Sequence, residues 1–154
     1  MTDIQHDSTN NEIADDFDGR LYVSLTFTGK DFIPDDITVK LGIKPSYSFK
    51  RGDIKINSNG EQQVRKHSCW SLDSDNNGLP PNDPIPHFEW LLGILEPVQE
   101  ELKEVLVKNK NIKAAVSCFW ITPTGRISMA VEPELFARLA NLNVRIWFDI
   151  YCNH

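Results

Sequence analysis

The chain has few cysteines, no excess of basic residues and no long apolar run. Its three cysteines, Cys69, Cys118 and Cys152, are far apart, and none belongs to a Cys-x-x-Cys pair. This spacing argues against a disulfide framework and a zinc knuckle, and it favours a reducing compartment. No stretch approaches the roughly 20 apolar residues of a membrane span, and the first residues lack the basic and apolar segments of a signal peptide. We therefore expect a soluble, cytoplasmic protein without a membrane partner.

Basic side chains are also too few and too scattered for a nucleic-acid surface. The chain has 22 acidic and 16 basic residues and a formal net charge of -6. Its basic clusters, Lys50-Arg51 and Arg65-Lys66, are shorter than phosphate binding requires, so we expect no nucleic-acid partner. An acidic domain suits a basic protein partner, because complementary fields speed and orient the encounter.

The common catalytic motifs are missing as well. The chain contains no glycine-rich phosphate loop, no Gly-x-Ser-x-Gly elbow and no His-Glu-x-x-His pair. Catalytic groups also assemble from residues distant in sequence, so this absence only moves the balance from catalysis towards binding. We expect no cofactor and no metal.

The chain divides into a tail and one domain. Residues 1–18 are acidic and polar, with too few apolar side chains to offset the cost of ordering, so we expect a loose tail before a single domain at 19–154. From Leu21 to Thr28 apolar and polar residues alternate, which predicts a half-buried strand. Pro34 and Gly42 are typical of the first and the terminating residue of a short helix.

The remainder predicts further strands and two more helical regions, and the whole is an α+β fold. Its sheet is mainly antiparallel, with about six strands and helices packed on one face. The elements are two strands within 46–72, an amphipathic helix over 88–106 that Pro97 kinks or breaks, a hairpin of 113–122 with 126–131, a helix from Pro133, and a strand from Val144 to Tyr151. We expect helices two and three to cover Val144, Ile146, Phe148 and Ile150.

Several separated motifs occur in a fixed order. Leu41-Gly42-Ile43-Lys44-Pro45 is followed by Lys50-Arg51-Gly52-Asp53, a strand with Trp70, the amphipathic helix and the closing Asp149-Ile150-Tyr151. In this order they resemble the small bacterial family catalogued as domain of unknown function 4279. The resemblance implies a bacterial origin and a fold. That family has no assigned activity, so the resemblance implies no catalytic residue.

The closest match to a chemical motif is the loop Asp73-Ser74-Asp75-Asn76-Asn77-Gly78. It offers oxygen ligands at the first, third and fifth positions of a calcium loop, with glycine at the sixth. The twelfth position holds Pro84 where a calcium loop needs a bidentate glutamate. We therefore favour an Asx-rich turn over a calcium site.

A thiol or metal centre is a second hypothesis. His67 and Cys69 share one face of a strand because side chains alternate with period two, and His87 is a conjectural third ligand. Free cysteine is among the most buried residue types, so a structural role is favoured over a metal or a nucleophile.

The last candidate site is a surface. Arg145, Trp147, Asp149 and Tyr151 alternate along the final strand, opposite the apolar set. Tyr22 contributes from the polar side of the first strand, with Trp70 or Trp120 beside it. Rings mixed with charged groups are typical of recognition patches. The alternative is structural support, with the charges in cross-strand pairs and the rings covered by the tail or a loop.

Three function classes remain open. The first is an interaction protein, of the immunity or antitoxin type, whose acidic surface meets a basic protein partner. The second is a small-molecule binder with a pocket between the sheet face and the Lys50 to Asp53 turn. The third is an enzyme that uses Asp149, His67 or Cys69. The sequence does not indicate an oligomeric state.

Overall fold

The structure, a computed structural model, describes residues 19–123 and 125–152, so the expected loose tail at 1–18 lies outside the described residues. No helix in the described ranges is long and apolar enough to cross a bilayer. In chain order the elements are β1 (Arg20–Gly29), α1 (Pro34–Leu41), β2 (Tyr47–Phe49), β3 (Ile54–Ile56), β4 (Gln62–Val64), β5 (Ser68–Asp73), α2 (Ile85–Leu95), a 3-10 turn (Glu96–Val98), α3 (Gln99–Lys108), β6 (Lys113–Thr122), α4 (Pro133–Asn141) and β7 (Arg145–Cys152).

The main sheet has five strands in the order β2-β5-β1-β6-β7, and β3 and β4 form a separate hairpin. The β2–β5, β5–β1 and β1–β6 pairs are antiparallel, whereas β6 and β7 are parallel because α4 carries the chain back between them. The prediction of an α+β fold with a mainly antiparallel sheet is confirmed.

One core lies between the sheet and the helices. The inward side chains of β1, Val23, Leu25 and Phe27, are fully buried. Every helix contributes to the same cluster, through Ile37 and Leu41 of α1, Phe88, Leu91, Leu92 and Leu95 of α2, Leu102 and Val105 of α3, and Leu135 and Leu139 of α4. The helices therefore all lie on one face of the sheet, and no described helix covers the other.

The helix boundaries follow the local signals in the sequence. Pro34 begins α1, Asp35 and Asp36 follow in its first turn, and Gly42 ends it in the left-handed region at φ 65°. Negative side chains suit the positive end of a helix, and glycine tolerates this φ at no steric cost. Pro97 lies in the 3-10 turn that separates α2 from α3, so the long apolar pattern forms two helices.

One expectation about the strands was wrong, and another is met only in part, since Val144 and Ile146 pack against the core. Residues 126–131 form no strand, because β7 pairs with β6 along the edge that a hairpin would have used. The apolar side of β7 is only partly covered: Phe148 tilts against Phe88 of α2 at 6.3 Å between ring centroids, yet it stays 41% exposed, and Ile150 is 40% exposed. β7 is the edge strand of the sheet and lies beyond the middle of the helical layer, so the helices bury its side chains only in part.

Candidate functional site

The side chains that point away from the helices form what we term the open face. The strand register and the alternation of side chains fix its members. It carries Tyr47 and Phe49 of β2, Cys69, Ser71 and Asp73 of β5, Arg20, Tyr22, Ser24, Thr26 and Thr28 of β1, Ala115, Ser117, Phe119 and Ile121 of β6, and Arg145, Trp147, Asp149 and Tyr151 of β7.

A groove of about 890 Å³ crosses the open face. Its floor consists of small side chains on neighbouring strands. Ser71, Thr26 and Ala115 lie side by side in one row of the register, and Ser24 and Ser117 lie side by side in the next. The hydroxyls of Thr26 and Ser71 are 2.8 Å apart and hydrogen-bonded. A floor of small polar groups under taller neighbours leaves room for another molecule and offers it hydrogen bonds.

Aromatic side chains form the walls. Tyr22 stacks on Phe119 with ring centroids 4.9 Å apart, while Tyr47 stands on the β2 side and Trp147 on the β7 side. Tyr151 lies just outside the groove, 5.7 Å from Phe119 between ring centroids. Burial raises the pKa of Tyr22 and of Tyr47. Both phenols therefore remain protonated near neutral pH and can donate hydrogen bonds.

The loop that begins at Asp73 borders one end of the groove. The backbone N–H of Asp75 donates to Oδ1 of Asp73 at 3.1 Å, and the side-chain amide of Asn77 donates to the carbonyl of Asp75 at 3.1 Å. Oδ2 of Asp75 accepts a hydrogen bond from Arg20 at 2.5 Å. This pattern is that of an Asx-rich turn, with its second carboxylate already paired to a guanidinium.

The carboxyl group of Asp73 is partly buried in this loop. Burial raises its pKa, and the hydrogen bond from the backbone of Asp75 opposes that effect. The backbone N–H of Asp73 donates to Oγ of Ser46 at 2.9 Å, which holds the residue at the groove's edge. Among the described residues no basic side chain forms an ion pair with Asp73. Its negative charge is thus partly desolvated and has no direct ion-pair partner there, although the charge of Arg20, which is paired with Asp75, favours the ionised form.

Ser74 anchors the same loop to the core. Its N–H donates to the carbonyl of Val23 and its Oγ accepts from the N–H of Val23, both at 2.9 Å. The same Oγ lies 2.7 Å from Nδ1 of His87, and Nε2 of His87 lies 2.7 Å from the carbonyl of Pro80. A carbonyl only accepts, so Nε2 carries a proton, and in the tautomer with a single proton on Nε2 the other nitrogen, Nδ1, accepts from the Ser74 hydroxyl. Ser74 and His87 are 1% and 2% exposed. This hydrogen-bonded pair is therefore inaccessible to a substrate, and its role is structural.

The thiol or metal centre does not assemble. His87 is hydrogen-bonded to Ser74, whereas the His67 ring meets the Phe49 ring edge-on at 5.7 Å between centroids. Within the ranges that the structure describes, no three His, Cys, Asp or Glu side chains come together as a metal site. Burial raises the pKa of the Cys69 thiol, and it raises that of Cys118 to about 11. A nucleophilic cysteine needs the opposite shift.

Four of the surface residues singled out in the sequence meet at the groove. Tyr22, Arg145, Trp147 and Asp149 all line it. The hydroxyl of Tyr151 donates to Oδ2 of Asp149 at 3.3 Å. The structure therefore brings these groups together, and their role in binding stays a prediction.

Trp70 lies on the opposite face of the sheet, so its place beside Tyr22 was wrong. It is fully buried, its indole Nε1 donates to Oγ1 of Thr38 at 3.0 Å, and its ring meets Phe27 edge-on at 5.6 Å. Trp70 therefore ties α1 to the sheet. Trp120, the alternative, is also on the helix side and is 6% exposed.

The sequence interpretation missed the side of the groove formed by β2 and β5. Tyr47, Ser71 and Asp73 line it, and the available signal was the alternation of Cys69, Ser71 and Asp73 against Trp70 and Leu72. Because β5 was read as a strand that ends near its tryptophan, the ring was taken as the surface residue. The residues that alternate with Trp70 along β5 form the surface instead.

The turn from Lys50 to Asp53 does not border the groove. Oδ2 of Asp53 accepts the N–H of Lys50 at 2.8 Å, and Arg51 pairs with Asp31 at 3.0 Å. The N–H of Gly52 donates to the carbonyl of Arg65 at 2.9 Å, so the turn leads into the β3–β4 hairpin. The groove lies towards Ser46 and Asp73, so it is not the pocket expected between this turn and the sheet face.

Comparison with known proteins gives one result. A family model described as "Domain of unknown function (DUF4279)" matches residues 19–153. No curated protein and no solved structure matches the chain.

Proposed function

Because the chain belongs to the family of the domain of unknown function DUF4279, whose description gives no activity, we propose a function from the groove. The protein is a binding domain, and its groove binds a cationic group of a basic partner protein. The observation that carries this proposal is the Asp73 carboxylate. It lies at the groove's edge, its pKa is raised by burial, and no described cation is paired with it. A partly desolvated anion gains more from an incoming cation than an exposed one does.

The aromatic walls suit the same ligand. Burial is the main cause of the raised pKa of Tyr22 and of Tyr47, and the charge of Asp73 adds to both, so the two rings lie near that carboxylate. Arg20 already lies over the Tyr22 ring, 5.3 Å from its centroid. The Tyr47 ring and the Asp73 carboxylate therefore remain to attract an ammonium or guanidinium group by cation–π and ionic forces together. The hydroxyl floor supplies acceptors for its N–H groups.

Two further observations agree with a binding role. The net charge of -6 favours a basic partner through long-range steering. Two of the three groups named for catalysis are poorly placed, since the Cys69 thiol is disfavoured as a thiolate and His67 faces Phe49, whereas Asp149 lines the groove.

The setting we propose is bacterial and cytoplasmic, with an immunity or antitoxin role against a basic partner. The free state of Cys69, Cys118 and Cys152 fits a reducing compartment. A gene for a toxin beside the gene for this chain would support that role, and a neighbourhood of metabolic enzymes would count against it.

A free small-molecule cation is the second candidate. The groove's volume of about 890 Å³ favours it, because small-molecule sites occupy about 300–1,000 Å³.

The test is an NMR titration of the ¹⁵N-labelled protein with capped tripeptides, Gly-Arg-Gly against Gly-Glu-Gly, and with free tetramethylammonium. We expect the arginine peptide to shift the amide signals of Ser24, Thr26, Ser71 and Asp73. Asp73→Asn keeps the acceptor for the Asp75 N–H but removes the charge. It should weaken binding about tenfold or more, since a hydrogen bond to a charged group contributes about 1.5–3 kcal/mol.

Glu61→Gln is the matched control, because Glu61 is an exposed carboxylate in the β3–β4 turn. It should leave the titration unchanged. Stronger binding of tetramethylammonium than of the peptide would favour the small-molecule candidate. Shifts outside the groove, or equal binding by the Asp73→Asn variant, would overturn the proposal.

A further inference from the structure

The outer edge of β7 is unpaired within the part of the chain that the structure describes. The sheet order ends at this strand, whose other edge pairs with β6. β7 runs for eight residues, RIWFDIYC, without the proline or glycine that often blunts an edge. An edge of this kind presents free N–H and C=O groups to another strand.

Apolar side chains are exposed on both sides of the same strand. On the open face Trp147 and Tyr151 are 53% and 50% exposed, and on the helix side Phe148 and Ile150 are 41% and 40% exposed. A single exposed ring is ordinary on a protein surface, but four large apolar residues along one free edge are not. The opposite edge of the sheet is β2, which has three residues and offers a much shorter ladder.

We propose that β7 pairs antiparallel with β7 of a second copy, about a two-fold axis perpendicular to the sheet at Trp147, so that two copies share one ten-stranded sheet. This inference does not depend on the groove's ligand. The occupant is a second copy because the strand is complementary to itself in charge and in apolar pattern, as an isologous interface requires.

The complementarity follows from the positions of two charges. In an antiparallel pair centred on Trp147, Arg145 of each copy lies opposite Asp149 of the other. Among the described residues Arg145 has no ion-pair partner, and the one hydrogen bond of the Asp149 side chain comes from Tyr151 at 3.3 Å. Opposite charges facing each other across a strand pair stabilise it.

The apolar residues match in the same register. Trp147 faces its own counterpart on the open face, and Ile146 faces Phe148 on the helix side. Directly opposite residues of an antiparallel pair lie on the same face of the sheet. A two-fold axis perpendicular to the sheet must therefore pass through a residue that lies opposite its own counterpart. The alternative registers differ only in which residue that is. Centring the pair on Asp149 would set two carboxylates against each other, and centring it on Phe148 would set Asp149 against Trp147. The Trp147 register alone pairs both charges.

Two charge reversals test the proposal on the full chain. Light scattering after gel filtration of the wild type at high concentration should give twice the 17.6 kDa of one chain. Arg145→Glu and Asp149→Lys each place like charges opposite one another in the homodimer and should give monomers. A mixture of the two variants restores both opposite pairs and should give a heterodimer of the doubled mass.

The mixture separates misfolding from a lost interface, since two unfolded variants would not rescue each other. Lys55→Glu, an exposed reversal in β3, is the matched control and should leave the dimer intact. A wild type that stays monomeric at all concentrations would overturn the proposal and mean that the two charges protect the edge from pairing. A dimer that survives both reversals would also overturn it and place the interface elsewhere, on a surface that does not include β7.

Discussion

Replacing Ser74 by alanine should destabilise the fold far more than the loss of one surface hydroxyl would. The Ser74 Oγ receives the N–H of Val23 and donates to Nδ1 of His87, and both Ser74 and His87 are buried. The Ser74→Ala variant leaves a buried donor and a buried acceptor without partners. Each such group costs about 1–3 kcal/mol, so we expect a loss of about 2–6 kcal/mol in the free energy of unfolding.

Urea denaturation followed by tryptophan fluorescence measures this loss. Ser48→Ala is the matched control, since Ser48 is an exposed serine in β2, and it should change stability by less than about 0.5 kcal/mol. The amide of Val23 should also lose protection from hydrogen exchange in the Ser74→Ala variant. A cost below about 1 kcal/mol would mean that the Ser74 hydroxyl carries neither bond and that the loop at Asp73 is held in another way.

The other predictions concern the sheet's two faces. Phe148→Ala should cost about 1–2 kcal/mol in urea denaturation of dilute protein, less than the 3–5 kcal/mol typical of a buried phenylalanine, because the ring is 41% exposed; a cost above about 3 kcal/mol would contradict the partly covered edge. Burial raises the folded-state pKa of Asp73, so ionisation lowers wild-type stability as the pH rises through the unfolded-state and then the folded-state pKa. Asp73→Asn should therefore gain stability relative to the wild type as the pH rises above the ordinary aspartate pKa of about 4, and thermal melts that show the opposite trend would refute the assigned cause. Calorimetric titration should show calcium binding no tighter than about millimolar, because the Asp73 loop lacks a closing glutamate, and micromolar binding would make that loop a cation site.

Local signals in the sequence predicted the elements that short-range physics decides. The alternation from Leu21 to Thr28 gave β1 and its two faces, and Pro34 with Gly42 gave the bounds of α1. Pro97 gave the break between α2 and α3. In each case the deciding interaction, a fixed φ, a cap or a period, lies within a few residues of the chain.

The failures lie where distant parts of the chain compete. Residues 126–131 have an extended pattern, but β7 occupies the edge of β6 that they would have needed. Trp70 was read as a surface residue because tryptophan is common in both cores and binding sites, and only its packing against Phe27 and Thr38 decides between them. The groove's floor was beyond reach for the same reason, since it depends on the mutual register of β5, β1 and β6.

The parallel pairing of β6 with β7 has a consequence for biosynthesis. Tyr47, on one wall of the groove, is made early, whereas the opposite wall at Trp147 exists only after α4 has crossed over and β7 has docked. Chains fold from the N-terminal side as they emerge from the ribosome. A nascent chain that ends at β6 therefore has the groove's floor without its second wall and leaves the edge of β6 open. The groove is completed as one of the last steps of folding, so the binding that we propose for it would require a chain that includes β7.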